Sequence, residues 1–388
     1  SRRRVTWWRP SFVMIVLFWM SAVIVAYVYV GYPCLIAVWA RLRDRRPHCV
    51  PFAEGHWPAI SIVIAARNEA ARLPARVRNL LDQRYPGPCE ILVVSDGSTD
   101  DPASALAEFG AEVRVLELPP GGKPLALNAG VAASTGAFLV FADTRQHYAP
   151  GALVGLVSNF ADPIVGGATG ELVLDCEQRV VSDSPVAESI GLYWSYEKWL
   201  RRSESRVWST LGATGAIYAL RRTCWTPLPS RTLLDDVLAP MRAVLNGRRI
   251  VFEERAVAYD RASTDVEAES RRKTRTLAGN YQILVQEPRL IVPFVNPVWV
   301  QYVSHKVGRL LAPWALVGLF VATLAIAPGH PLAAVLLALQ GIFYGLAISE
   351  ALFHAGKRLA RVAYTFVMMN LSAVTGLAAL RRGREVWQ

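Results

Sequence analysis

The stretch EILVVSDGSTDD, residues 90–101, decides how this chain is read. Its first seven residues centre on the apolar run ILVV, which reads as a buried β-strand. Asp96 ends the strand, Gly97 permits a tight turn, and Asp100 or Asp101 can cap a helix predicted over DPASALAEFG, 101–110. ISIVIAA, 60–66, reads as another buried strand, with a helix predicted through 68–83. AEVRVLEL, 111–118, and AFLVFAD, 137–143, complete a set of four strands. Strands alternating with helices imply an α/β domain with a mainly parallel, doubly covered sheet. Ligands of such sheets sit beyond the carboxyl ends of the strands. Asn68, Asp96 and Asp143 all fall there, and that convergence matters more than any one of them.

The chain is 388 residues long, 53% hydrophobic and 19% charged, with a mean hydropathy of +0.26. That is too apolar for an ordinary soluble enzyme and implies a membrane protein with a substantial soluble part. The formal charge is +11, from 42 basic and 31 acidic residues. Basic loops on the cytoplasmic side account for much of such an excess. No nucleic-acid-binding motif accompanies it, so nucleic acid is not an expected partner. The five cysteines, Cys34, Cys49, Cys89, Cys176 and Cys224, are widely spaced and form no CxxC pair. They argue against a disulfide framework or a zinc site and fit a reducing compartment.

Residues 11–40 form an uncharged apolar run that exceeds the ~20 residues needed to cross a bilayer. It reads as a retained anchor, with RLRDRR, 41–46, as a cytoplasmic flank and Trp7 and Trp8 at the opposite interface. ESRRKTRTLAGNYQILVQEPRL, 269–290, is basic and amphipathic enough to lie on a membrane surface. Apolar runs return at 307–327, 331–352 and 362–380. The last contains Asn370, Ser372 and Thr375, so spanning and re-entrant readings both stand. The expected division is an anchor over 1–46, a catalytic domain over 47–262, an interfacial segment over 263–306 and membrane helices over 307–388.

Four polar clusters punctuate the soluble part. AARNEA, 65–70, closes the first strand, where Asn68 and Glu69 equally suit a helix start. GGKPLALNAG, 121–130, can present backbone N–H groups and Lys123 to phosphate, although it is neither a P-loop nor GxGxxG. TLLDDVLAP, 232–240, sets Asp235 beside Asp236. Their repulsion would raise one pKa and suit a general base, while helix N-terminal acids facing the dipole are the plainer reading. RRKTR, 271–275, offers phosphate-binding cations or a basic membrane-surface patch.

The order of these pieces is more specific than any single one. ARNE, VVSDGSTDD, GGKPLALN, FADTRQ, GATGAIYALRR, LLDDVLAP and RRKTR together resemble the family 2 glycosyltransferases. Within that family the resemblance is to membrane-embedded synthases of chitin oligosaccharide, hyaluronan, cellulose and poly-N-acetylglucosamine. It spans the whole chain and implies a GT-A, Rossmann-like catalytic domain flanked by transmembrane helices. It further implies that Asn68, Glu69 and Asp96 hold the nucleoside of a UDP-sugar, and that Lys123 approaches the nucleotide or its phosphates. Asp143 matches the first acid of the DxD element, which meets the diphosphate and Mg2+ or Mn2+; Arg275 matches the arginine of QxxRW, which grips the diphosphate. Asp236 matches the acceptor-side general base, with Gly212, Thr214, Gly215 and Asp235 near the acceptor.

Three departures qualify the match. The acceptor motif reads Leu234-Asp235-Asp236, so the residue before the base is shorter. The tryptophan of QxxRW is replaced by Thr276 after Arg272-Lys273-Thr274-Arg275, which leaves processivity open. DxD reads Asp143-Thr144-Arg145, and arginine cannot ligate a metal. The implied reaction is direct displacement on a UDP-α-sugar, giving a β-linkage on a growing glycan with export coupled to it. The acceptor is a glycan or a lipid-linked chain, and the enzyme sits in a bacterial-type inner membrane with its catalytic domain in the cytoplasm. Transfer of a single sugar to a lipid, and a non-catalytic nucleotide-binding membrane protein, are the competing readings. His305 and Lys306 precede the first carboxy-terminal run, where they suit a channel entrance or, for Lys306, interfacial snorkelling.

Overall fold

A computed structural model describes residues 12–47, 52–53, 55–174, 185–260, 266–353 and 358–381. Trp7, Trp8, Cys49 and Cys176 lie outside them. The α/β half is built on strands β1 (Ile60–Ala66), β2 (Cys89–Asp96), β3 (Val113–Leu118), β4 (Phe138–Ala142), β5 (His147–Tyr148), β6 (Val165–Leu174), β7 (Ile217–Arg221) and β8 (Arg249–Asp260). They form one sheet in the order β3-β2-β1-β4-β7-β6-β8-β5. The four strands expected from the sequence are its parallel half. The other half is mixed: β7 runs antiparallel to both neighbours and β6 pairs parallel with β8.

The helices of this half are α3 (Leu73–Leu81), α4 (Pro102–Ala105), α5 (Lys123–Ala133), α6 (Ala152–Ser158), α7 (Pro185–Val207) and α8 (Asp235–Leu245), with α1 and α2 preceding them in the anchor. One core packs Ile60, Ile62, Ile64, Leu73 and Val77 under one face of the sheet. The other sets Val63, Val94, Leu139 and Phe141 against Leu233, Val237 and Leu238. β1 contributes to both, which is why its sequence shows no alternation. Each fully buried Ile, Val or Leu contributes on the order of 1.5–3 kcal/mol.

Two predicted helices are shorter than expected. The helix predicted over 68–83 begins only at Leu73 because Asn68 has φ +54°, outside the helical region. The helix predicted over 101–110 is one turn, α4, followed by a 3-10 stretch with Gly110 at φ +52°.

Four helices among the described residues are long and apolar enough to cross a membrane: Phe12–Leu42, Trp299–Gly329, Pro331–Phe353 and Arg358–Leu380. The first contains α1 (Phe12–Ala26) and α2 (Tyr32–Leu42). After β8 come α9 (Val266–Gln286), α10 (Trp299–Tyr302), α11 (Gly308–Ile326), α12 (Pro331–Phe353) and α13 (Arg358–Arg381). The second spanning-length helix runs through α10 and α11, so it starts eight residues before the expected 307 and includes His305 and Lys306. α13 is continuous. Its polar groups are satisfied within the helix and across it: Asn370 Nδ2 donates to Phe366 O and Ser372 Oγ to Met368 O, while Asn370 Oδ1 accepts from Tyr29 Oη of the first spanning-length helix. A helix can carry such residues through an apolar layer when their hydrogen bonds close internally.

α9, the amphipathic stretch, is gripped on two sides. Ala278 and Ile283 join the core beside Leu233 and Leu234. On the other side α13 approaches so closely that a Cβ on Gly376 would fall 2.9 Å from the Ala278 nitrogen. α9 therefore packs against both the α/β half and the last apolar helix.

Candidate active site

The site is assembled at the carboxyl ends of the strands. Asp96 closes β2 and accepts N–H bonds from Gly121 (2.6 Å) and Gly122 (2.9 and 3.0 Å). Gly122 has φ +91°, a conformation other residues rarely adopt. This turn delivers Lys123 to the start of α5. Its ammonium lies 3.0 Å from Asp143 Oδ1 and 3.5 Å from Asp235 Oδ2. Burial works against the Lys123 charge, but Asp143, Asp235 and Asp236 outweigh it and raise the pKa above the usual lysine value.

Asp235 and Asp236 open α8, where the helix dipole favours negative charge. The Gly215 N–H donates to Asp236 Oδ2 (3.0 Å), and the Ala213 N–H to Asp236 O (2.7 Å). A Cβ on Gly215 would sit 3.1 Å from Asp236 Oδ2, so glycine is what lets the backbone donor come this close. Thr214 N donates to Thr169 Oγ1 (2.8 Å), and its hydroxyl accepts from Arg201 (2.6 Å). Burial, then the Asp235 charge, push Asp236 up to about 6 against the opposing Lys123 and Arg201. A carboxylate so poised is ionised at neutral pH yet basic enough to accept a proton.

The nucleoside-side residues have local partners. Asn68 Oδ1 accepts from Thr99 N (2.9 Å), and Asn68 N donates to Ser98 (3.1 Å), joining the turns after β1 and β2. Glu69 pairs with Arg72 (2.6 Å). Asp101 caps α4 through Ser104 N (3.0 Å), while Asp100 accepts from Ala70 N (2.8 Å). Asn68 and Glu69 do not line the cleft around Lys123 and Asp143, whereas Arg145, Arg272, Arg275 and Thr276 do. Arg145 leans toward Asp260 (3.6 Å), which also accepts from Gln146 (2.7 Å). Thr276 bonds back to Arg272 O (2.9 Å) within α9.

Among the described residues there is no cluster of three or more metal-ligating side chains. Asp143 and Asp235 nevertheless converge on a cation, the Lys123 ammonium. Hard divalent ions are commonly held by one or two carboxylates together with substrate phosphates and water. Asp143, with Asp235 behind it, offers that donor set.

The cleft is about 670 Å3 and extends well beyond these carboxylates. Past Thr214 it is lined by Trp194, Glu197, Arg201 and Glu204 of α7 and by His305, Lys306 and Arg309. It ends against Val28, Phe366, Met369 and Ala373 of spanning-length helices. None of the α7 residues was singled out from the sequence. Their partners lie far along the chain: Glu197 pairs with Arg309, and Glu204 accepts from Tyr32 (2.7 Å) and contacts His305 Nδ1 (2.7 Å). Burial would raise Glu197, but Arg309 and His305 dominate and hold it well below the usual carboxylate range. Lys306 lines the interior cleft and His305 is buried, so the snorkelling read from sequence is replaced by an inward-facing position.

Comparison with known proteins follows the same outline. Residues 61–222 match the Glycosyl transferase family 2 profile. A β-monoglucosyldiacylglycerol synthase of Nostoc sp. is 30% identical over 167 residues, covering 41% of this chain and 35% of that protein. A 4,4'-diaponeurosporenoate glycosyltransferase of Staphylococcus aureus is 27% identical over 95 residues, 24% of each chain. Among solved structures, a mannosyltransferase from Pyrobaculum calidifontis, in complex with GDP-Man and Mn2+, superposes with TM-score 0.72. It is 22% identical and the match covers 95% of this chain and 100% of that one. The GT-A fold with apolar helices that the sequence led us to expect is thus the fold observed.

Proposed function

We propose that this chain, which carries a family 2 glycosyltransferase domain over residues 61–222, is an inverting enzyme that moves one sugar from a nucleotide donor to a lipid-linked acceptor. The donor is a UDP-sugar, the linkage formed is β, and the catalytic domain faces the cytoplasm from a plasma membrane. The observation that carries this reading is the single cleft joining Asp236 to apolar side chains of the spanning-length helices. A hydroxylated headgroup can reach the carboxylate while its acyl chains stay among Val28, Phe366 and Met369. The glycolipid activity in the name of the Nostoc relative agrees with it. A growing glycan, the reading first drawn from the sequence, is distinguished by product size.

In this mechanism Asp236 accepts the proton of the acceptor hydroxyl as its oxygen attacks the anomeric carbon. Gly215 N–H keeps the carboxylate oriented. The diphosphate leaves with a growing negative charge, which Lys123 and Arg275 offset. A fixed donor at a developing anion is typically worth about 3–4 kcal/mol. Asp143, with Asp235, would hold Mg2+ or Mn2+, which when bound adds Lewis-acid stabilisation of the diphosphate. Asp96 acts one step back, by holding the turn that presents Lys123.

The test is transfer by the purified full chain in detergent. Radiolabelled UDP-glucose, UDP-N-acetylglucosamine and GDP-mannose are each supplied with membrane lipid, and products are sized. A single glycolipid is expected. A polymer ladder would replace the lipid reading with the synthase reading, and no donor cleavage at all would leave a non-catalytic protein. Excess EDTA should suppress the reaction; full activity in EDTA would remove the metal and leave its role to the cations lining the cleft.

A further inference from the structure

The cleft is charged at both the sheet and the helices. At the sheet, Lys123 pairs with Asp143 and Asp235, and Arg145, Arg272 and Arg275 line the same cleft. The Asp236 carboxylate leads through Gly215 and Thr214 to Arg201. Here cations outnumber acids. Arg201, Lys306 and Arg309 line the wall with two carboxylates, Glu197 and Glu204. Both acids are engaged, Glu197 with Arg309 and Glu204 with Tyr32 and His305. Among the described residues no carboxylate comes within ion-pair distance of Arg201 or of Lys306. Lys306 sits in the helix Trp299–Gly329, where an ionisable side chain is expensive and points to function.

We propose that Arg201 and Lys306 hold the phosphate of an acceptor lipid, so that the acceptor is an anionic phospholipid with a free headgroup hydroxyl and not a neutral glyceride. The inference rests on the lipid-acceptor reading above and specifies its chemistry. Two cations that lack carboxylate partners suit a phosphodiester, which accepts charge-assisted hydrogen bonds from both. Their position supports a lipid phosphate over the donor diphosphate. Arg201 bonds Thr214, the neighbour of the Gly215 that holds Asp236, and Lys306 is carried by a spanning-length helix, as are Val28, Phe366 and Met369 of the same cleft. Lys123 is engaged by Asp143 and Asp235 instead. A phospholipid likewise joins hydroxyl, phosphate and acyl chains. The step balances without another reactant. The headgroup oxygen bonds to the anomeric carbon, and the bond from that carbon to the diphosphate oxygen breaks. The hydroxyl proton passes to Asp236, the electron pair leaves with the nucleoside diphosphate, and the phosphodiester is unchanged.

The experiment compares dioleoyl-phosphatidylglycerol with dioleoylglycerol as acceptors for the full chain in detergent, using whichever of the three donors gives product. Phosphatidylglycerol should show a KM at least tenfold lower. Lys306→Gln should raise that KM about tenfold and leave the donor KM unchanged, and Lys306→Arg should restore it. Binding of tail-labelled fluorescent phosphatidylglycerol, measured without donor, should weaken in Lys306→Gln and not in Lys306→Arg. Equal or better use of dioleoylglycerol would overturn the inference and leave the lipid reading intact. A Lys306→Gln effect confined to the donor KM would assign the cations to the diphosphate instead. A polymer ladder with no lipid product would remove both readings. If no donor turns over, a missing preference for the fluorescent phospholipid over the matching glyceride overturns the inference by itself.

Discussion

The two walls of the cleft hold their carboxylates by different means. On the sheet side backbone N–H groups hold two of the acids, Gly121 and Gly122 for Asp96 and Gly215 for Asp236, while Lys123, delivered by the same glycine turn, bridges Asp143 and Asp235. On the helix side they are side chains from other helices: Tyr32 and His305 for Glu204, Arg309 for Glu197. A backbone donor that must come close demands small residues at fixed places, so it leaves a short, readable motif. A side-chain pair needs only the right tip in the right place. Glu204 lies 172 residues from Tyr32 and 101 from His305, and nothing local announces either contact. In the proposed reaction the sheet wall carries the chemistry at one carbon, and the helix wall joins it to the apolar layer.

The comparison can be broken at either wall. The largest effect is expected at the sheet wall, from Asp236→Asn. Loss of a positioned general base should lower kcat by about 10²–10⁴-fold while donor binding persists. Retained turnover in a transfer assay would remove Asp236 from the role. On the helix wall, Glu204→Ala should act on stability first. It removes a fully buried acid that Tyr32 and His305 share. Leaving buried polar groups without their partner typically costs about 1–3 kcal/mol, so thermal unfolding in detergent should shift down by a few degrees. An unchanged Tm would mean that the two helices are docked by apolar packing alone. Lys123→Met comes next, with kcat/KM for the donor falling on the order of 100-fold through lost offset of diphosphate charge. If only the acceptor KM moved, Lys123 would belong to the other wall.

The same contrast explains what the sequence disclosed. β1, β2 and β4 are buried on both faces, so their apolar runs are continuous and end at Ala66, Asp96 and Ala142, at or just before Asn68, Asp96 and Asp143. The mixed half escaped notice. β6, VGGATGELVL, dilutes its apolar pattern with glycine, and β8, RIVFEERAVAYD, carries charge mid-strand. Arg145 stood out only as the break in DxD; its partner Asp260 is 115 residues away on β8. The α7 residues Glu197, Arg201 and Glu204 had no neighbouring motif, and only the fold brings them to His305 and Lys306. Inheritance of a motif order revealed the sheet wall; the helix wall is defined by tertiary contact.

The smallest effect, and the most direct probe of the sheet wall's electrostatics, is the pH dependence. The Asp236 carboxyl is shifted from 3.8 to about 6, by burial first and by Asp235 next. As the base it must be ionised, so kcat/KM should be flat at neutral pH, halve near pH 6 and fall tenfold per unit below that. Lys123 lowers this pKa. In Lys123→Met the acidic limb should therefore move to higher pH, whereas Glu204→Ala should leave it in place. Stability runs the other way. The folded state binds the Asp236 proton more tightly than the unfolded chain does, so this contribution is full below about 3.8 and is lost as pH rises through about 6. At neutral pH the ionised carboxylate works against the fold, and Asp236→Asn should keep or raise Tm while it abolishes transfer. A variant that lost Tm together with activity would show that Asp236 is held for structure, and the base would have to be sought elsewhere along the cleft.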